Sequence, residues 1–231
     1  MGKIKGVIFD LDGTLIDSLE TYTQALNQGI QRFNLAPVSK EALASLLNRA
    51  VPLEQIIQQL FPTQLKDREE RLDCIEEIVK AYQKLEQNVP LKPGAAQVLS
   101  SLKEMGLKVG IVTGRTTSGE RKWLELRRLH IDQFIDVIIT GADAERKPAP
   151  EGIIKCAQEL GLATEECVFV GDAQSDIVTG KAAGVMTIAI STGVAQEGSL
   201  SQERPDAIVD SLAELLSRIR NLSRNRDENH R

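Results

Sequence analysis

The segment Val7-Ile8-Phe9-Asp10-Leu11-Asp12-Gly13-Thr14 restricts this chain more than any other: an unbroken apolar run stops on two carboxylates and a glycine. A strand with one wet face alternates apolar and polar residues. A run without polar interruption reads as a strand covered on both faces, and so as part of a parallel sheet. Four later segments repeat the pattern, Lys108 to Thr113, Val137 to Thr140, Cys167 to Gly171 and Thr187 to Ile190, with Ala207 to Val209 as a weaker sixth strand. Between them apolar residues recur at helical spacing. Val98, Leu99, Leu102 and Met105 mark one helix, Ile153, Ile154, Ala157 and Leu160 a second, and Ile177, Val178, Ala182 and Ala183 a third. Gly106, Gly161 and Gly184 stop them. Ser211 is placed to cap a last helix through Leu212, Leu215, Leu216 and Ile219. Strands alternating with helices predict an α/β fold built on a doubly wound parallel sheet.

One stretch breaks the alternation. From about Ser18 to Asn88 nothing reads as a strand. Leu19, Tyr22, Leu26, Ile30 and Phe33 mark an amphipathic helix, and Leu72, Ile75, Ile78, Val79, Tyr82 and Leu85 another. Shorter helical patterns follow Ser39 and Pro52, and Val89-Pro90-Leu91-Lys92-Pro93 reads as a return linker because its prolines disfavour helix. The expected organisation is a core of residues 1–17 and 89–231 with a helical insertion over 18–88. Asp17 and Ser18 open its first helix and are placed to cap it.

Composition excludes several classes. With 231 residues, 42% apolar, 26% charged and net charge −5, the chain can bury a core, so wholesale disorder is ruled out. No stretch approaches the ~20 uninterrupted apolar residues of a membrane span, and Met1-Gly2-Lys3-Ile4-Lys5 has no apolar leader. Neither a membrane nor a nucleic acid is an expected partner. The basic residues are scattered, apart from Arg127-Arg128 and a tail of Arg218, Arg220, Arg224, Arg226 and Arg231 that reads as a solvated end. Cys74, Cys156 and Cys167 have neither metal-site spacing nor an even count, which fits a reducing, cytoplasmic setting. Either a monomer or a homodimer is compatible with this pattern.

Ligands of a parallel sheet bind beyond the carboxyl ends of its strands, near the switch in strand order. Four strand ends carry polar groups: Asp10 and Asp12; Thr113, Gly114 and Arg115; Thr140 to Asp143 with Lys147-Pro148 soon after; and Asp172 with Asp176. Asp10 and Asp12 are two apart, which puts both on one side of an extended chain. Four carboxylates in one crevice repel: two unit charges ~4 Å apart at an effective dielectric of ~20 cost roughly 4 kcal/mol. Several such pairs rival a whole domain stability of ~5–15 kcal/mol. Lys147 supplies one compensating charge, and the rest calls for a hard cation with oxygen ligands, Mg²⁺ by default near phosphate. A metal, an ammonium, a hydroxyl and the N–H groups of Thr113-Gly114 suit phosphate. Asp10 is then placed as nucleophile, and Asp12 as the group that protonates the leaving oxygen and later deprotonates water.

These segments carry a resemblance. Asp10-Leu-Asp12-Gly-Thr-Leu-Ile-Asp17-Ser18 resembles the first signature of the haloacid-dehalogenase (HAD) superfamily, and Val112-Thr113-Gly114-Arg115 its second. Lys147-Pro148-Ala149-Pro150 resembles the third and Gly171-Asp172-Ala-Gln-Ser-Asp176 the fourth, all in order on the expected strands. The insertion is similar to the helical cap of the phosphoglycolate-phosphatase-like and sugar-phosphate-mutase-like branch. The resemblance implies a Rossmann-like core and an aspartyl-phosphate on Asp10, with Asp12 as general acid/base and its carbonyl on Mg²⁺. It further implies that Thr113 bonds the phosphoryl group, Lys147 braces Asp10, Asp172 ligates Mg²⁺ and Asp176 helps hold it. Where relatives place a glycine and substrate contacts, this chain has Ala50 and Val51 after Asn48 and Arg49. Arg49 and Arg115 are candidates to touch substrate. Trp123 reads as packing.

The expected function is a Mg²⁺-dependent phosphatase acting on a small phosphorylated metabolite, 2-phosphoglycolate first. A β-phosphoglucomutase-like sugar-phosphate mutase, a pyrophosphatase or a nucleotidase of the same fold are the alternatives. A receiver-domain switch fits poorly, because such a switch has no use for the inserted helices.

Overall fold

The computed structural model describes residues 4–117, 119–195 and 198–224; Arg226 and Arg231 of the basic tail lie outside the described residues. Among the described residues six parallel strands form one sheet in the order β3-β2-β1-β4-β5-β6. They are β1 (Gly6–Phe9), β2 (Lys108–Val112), β3 (Val137–Ile139), β4 (Cys167–Gly171), β5 (Met186–Ile190) and β6 (Ala207–Val209). Every residue of β1 and β4 is buried, which is why these runs carry no polar interruption. Thr113 and Thr140 fall just past the ends of their strands.

Register turns the strand period of two into two apolar layers. Val7 and Phe9 align with Val168 and Val170, and with Val109 and Ile111. They pack with α5 (Ala95–Glu104) and, after the short α9 (Ser199–Gln202), with α10 (Leu212–Arg224). Ile8, Phe169, Val112 and Ile139 face the other way onto α7 (Glu151–Glu159). Trp123 of α6 (Gly119–Arg128) packs against the first layer. Val178, expected on a buried stripe with Ile177, is 39% exposed on α8 (Gln174–Ala183), which buries Ile177 as expected and Thr179 beside it. Ser211 caps α10, its hydroxyl accepting the Glu214 N–H at 3.2 Å. Cys74, Cys156 and Cys167 are buried free thiols. No helix of the described residues is long and apolar enough to cross a membrane.

Between β1 and α5 the chain makes α1 (Leu19–Gln31), α2 (Lys40–Leu47), α3 (Leu53–Leu60) and α4 (Arg68–Leu85). They share an apolar cluster of their own, including Leu26, Ile30, Leu43, Ile57, Phe61 and Cys74. The entering and returning segments pair: the Asp17 N–H donates to Pro90 O and the Lys92 N–H to Leu15 O, both at 2.9 Å. Ser39 caps α2. Neither Asp17 nor Ser18 caps α1, contrary to expectation. Asp17 pairs with Lys92 at 2.9 Å, and Ser18, in the helical rather than the extended region, makes no capping bond. Its hydroxyl serves Asp12 instead.

The order of strands reverses between β1 and β4. Connections from β1 run toward β3, and those from β4 toward β6, so a crevice opens beyond the ends of these two neighbours.

Candidate active site

Asp10 follows β1 and Asp172 follows β4, so both stand at that crevice. Asp176 lies in the first turn of α8 and aims back over the sheet edge. Carboxylate oxygens of Asp10, Asp172 and Asp176 lie within 4.8 Å of one another, and all three residues are buried. Each is held. Lys147 bonds Asp10 Oδ1 and reaches Asp176 Oδ1 at 2.6 Å, its Nζ 5.7 Å from the Phe169 ring centroid. Asp172 accepts from the Thr14 hydroxyl and the Val194 N–H, each at 2.8 Å, and Asp176 accepts from the Ala173 N–H at 2.9 Å.

The electrostatics are unbalanced. One ammonium faces three carboxylates. Burial, then the neighbouring carboxylates acting against Lys147, raise the Asp10 carboxyl well above the ordinary range. Burial and the charge of Asp176 push Asp172 up to about 7. Burial acts to lower the Lys147 ammonium, but Asp10 and Asp176 overcome it and hold it charged. A buried set of hard oxygen donors that carries two surplus negative charges once all three carboxyls ionise suits a divalent cation such as Mg²⁺.

Glycine makes the crowding possible. A methyl on Gly13, whose φ is +87°, would lie 2.4 Å from Asp172 Oδ2, and one on Gly193 would lie 1.7 Å from the same atom. Gly193 follows β5 and has no functional group of its own to mark it in the sequence. The rule that located the other groups, reading what stands past each strand end, finds it when applied to the fifth strand.

Asp12 behaves differently. It lines the same cavity as Asp10, yet its carboxylate leaves the acidic triad and forms a two-pronged pair with Arg115, Nε to Oδ2 at 2.7 Å and a second bond from the terminal nitrogen. Arg115 also donates to Glu125 at 3.2 Å, and Lys122, only 2% exposed, bonds the other Glu125 oxygen. Two cations and two anions thus balance under the inserted helices. Tyr22 of α1 and Tyr82 of α4 stack at 4.8 Å between centroids, and the guanidinium lies 5.5 and 5.2 Å from their rings. Burial alone would raise the Asp12 carboxyl. The charge and hydrogen bonds of Arg115, helped by Ser18 and Lys122, outweigh it and hold the group below the ordinary range.

The structure places Arg115, which lines the cavity, on Asp12, because a guanidinium this buried needs its counter-charges. Arg49 is set aside. It is exposed, its Nε donating to Ser45 O at 3.4 Å, and it does not line the cavity. Asn48 and Arg49 both lie in the turn that follows α2, which buries Asn48 and leaves Arg49 exposed. Asn48 is the working neighbour: its Oδ1 accepts the Gln174 N–H at 2.7 Å and its Nδ2 donates to Gln174 Oε1 at 3.0 Å. The inserted helices thereby cap α8, whose own Ala173 has no side chain to do so. Ala50 takes a φ of +54°, the left-handed conformation for which a glycine is suited. Thr113 is buried at the end of β2, its hydroxyl accepting the Arg115 N–H at 3.3 Å, and Gly114 lines the cavity.

Fold and site define an α/β enzyme with a lysine-braced acidic crevice at its topological switch point. The sequence profile of the haloacid dehalogenase-like hydrolases matches residues 7–190, and this chain belongs to that family. It is 32% identical over 233 residues to the phosphoglycolate phosphatase of Salmonella paratyphi A, spanning 93% of this chain and 92% of that protein. It is 30% identical over 228 residues to a pyrophosphatase of Bacillus cereus, spanning 96% and 99%. A crystal structure described as a predicted phosphoglycolate phosphatase from Haemophilus somnus shares the fold with a TM-score of 0.84, over 94% of this chain and 98% of that one, at 24% identity. The chain is a phosphatase of the HAD-like kind, in the phosphoglycolate-phosphatase-like branch.

Proposed function

We propose that this phosphatase hydrolyses a small phosphoric monoester through an aspartyl-phosphate on Asp10, with Mg²⁺. The observation that carries the reading is the buried triad of Asp10, Asp172 and Asp176 with Lys147 on Asp10, at the switch point of the sheet. Asp10, Asp172 and Asp176, with the carbonyl of Asp12 that the family resemblance implies, would hold the Mg²⁺. Bound there, the ion would offset the surplus negative charge of the crevice and of the phosphoryl oxygens.

The protein's own groups divide the remaining work. Lys147 orients Asp10 and keeps one oxygen directed at the incoming phosphorus. An Asp10 oxygen attacks phosphorus as the ester P–O bond breaks, and Asp12 delivers a proton to the departing oxygen. Asp12, ionised again, takes a proton from water. The water oxygen attacks phosphorus, the Asp10–phosphorus bond breaks, and phosphate leaves. The grip of Arg115 favours the ionised form needed for that second step, so the protonated form needed for the first requires the pair to loosen. Thr113 and Gly114, past the end of β2, supply a hydroxyl and an N–H toward the phosphoryl group.

Phosphate release in Mg²⁺ buffer tests the reading. 2-Phosphoglycolate is the first substrate to assay and pyrophosphate the second, following the names of the relatives. β-Glucose 1-phosphate is assayed alongside for conversion to glucose 6-phosphate. Asp10→Asn is expected to lower kcat by roughly 10³-fold or more, as loss of a nucleophile does. A chelator should abolish turnover and added Mg²⁺ restore it. An Asp10→Asn protein as active as wild type refutes the proposal.

A further inference from the structure

The cavity above Asp10 continues into the inserted helices, and its volume is about 500 Å³. That lies within the ~300–1,000 Å³ of sites that enclose drug-sized ligands, and exceeds what a phosphoryl group on a two-carbon acid fills. Its two ends differ in chemistry. The sheet end carries the triad and Lys147. The far wall is aliphatic: Leu19 of α1, Leu47 of α2, Val51, Leu53 of α3 and Ile75 of α4 line it partly exposed, backed by the buried cluster of the inserted helices. Among the described residues, 18–88 send no Lys, Arg or His to this cavity. Their polar contributions are Ser18, Tyr22, Tyr82, Gln83 and Glu86. Of these Ser18 serves Asp12, the two tyrosines cover Arg115, and Glu86 pairs with Arg121 at 3.1 Å.

We infer that the ester cleaved here is the phosphate of an apolar alcohol, whose hydrocarbon body lies on this wall while the phosphoryl group meets Asp10. The inference rests on the phosphomonoesterase reading and assigns its substrate class. Arg115 and Arg121 also line the cavity but are engaged by Asp12 and Glu86, and Arg146 adjoins Lys147 in the chain. A second anionic group directed at the aliphatic wall itself would lose its water with no cation from residues 18–88 to receive it, which is costly. A hydrocarbon there sheds structured water at a gain of ~0.8 kcal/mol per methylene, about fourfold each. The balanced reaction is ester plus water to alcohol plus phosphate. The P–O bond breaks and the alcohol oxygen keeps the proton from Asp12.

Two chain-length series test it on the full chain with Mg²⁺. In the first, kcat/KM is measured for ethyl, butyl, hexyl and octyl phosphate and for 2-phosphoglycolate. A rise of about threefold or more per methylene is expected, leaving octyl phosphate above 2-phosphoglycolate. In the second, calorimetry follows the binding of ethyl to octyl phosphonates, which cannot be cleaved. Affinity should climb by a similar factor per methylene, with an increasingly negative heat-capacity change. Flat series, or 2-phosphoglycolate preferred over octyl phosphate, overturn the apolar wall as a substrate determinant while leaving the Asp10 chemistry standing. Phosphonate affinity that climbs with chain length while no ester is hydrolysed overturns the inference about cleavage together with the phosphatase mechanism.

Discussion

Replacing Arg115 with methionine keeps an apolar stem of similar reach and deletes the guanidinium that Asp12, Glu125 and the two tyrosines all face. The cost follows from burial. The Arg115 and Asp12 side chains are 9% and 21% exposed, so the pair is largely but not wholly dry. Removing one partner of a buried pair costs about 3–5 kcal/mol, and the exposure of Asp12 places this case near 3 kcal/mol. For a chain of this length that corresponds to a fall in Tm of roughly 6–12 °C. Urea unfolding of wild type, Arg115→Met, Asp12→Asn and the double variant closes a cycle. The double variant should lose at least ~1.5 kcal/mol less than the sum of the singles. The pH dependence has a definite sign. Arg115 holds the Asp12 carboxyl below its ordinary value of 3.8, so the stabilisation is fully present above that pH. It is lost as pH falls through the lower folded-state value. The gap between wild type and Arg115→Met should therefore be widest near neutrality and narrow in acid below about pH 4. A coupling under ~0.5 kcal/mol, or a gap that does not narrow in acid, refutes the clamp.

Two further substitutions probe the surroundings of the site. Gly193→Ala drives a methyl into Asp172 Oδ2, and should raise the Mg²⁺ concentration for half-maximal activity by about 10–100-fold, the usual cost of disturbing a ligand's support. An unchanged Mg²⁺ requirement with an intact circular dichroism spectrum counts against Asp172 as a ligand. Asn48→Ala removes the side-chain acceptor of the Gln174 N–H and should cost about 1 kcal/mol, as loss of a helix cap does. Faster hydrogen exchange at the Gln174 amide is the readout, and unaltered protection there argues against the docking contact.

The strands were legible because their signal is local: buried parallel strands show as uninterrupted apolar runs, and a carboxylate can stand only where such a run ends. The same rule located Asp10, Asp172, Asp176 and Lys147 at one sheet edge. Carried to the fifth strand, it reaches Gly193 as well. Helix phase was harder to read. Tyr22 and Tyr82 fit an apolar stripe equally well whether they pack on leucine or on a guanidinium, and nothing local tells Asn48 from Arg49 as the inward residue.

Order along the chain was enough to establish a parallel α/β sheet, an inserted helical segment and an acidic edge, since each arises from neighbours within one element. Partner choice was not. Asp12 meets Arg115 from 103 positions away, and Asn48 meets Gln174 from 126. Only tertiary packing turned one aspartate toward Lys147 and the other toward Arg115, and drew leucines and isoleucines from four helices into a single cavity wall. Charge pairing and apolar burial act through space, and a linear pattern records which groups are present but not which of them will share a dry volume.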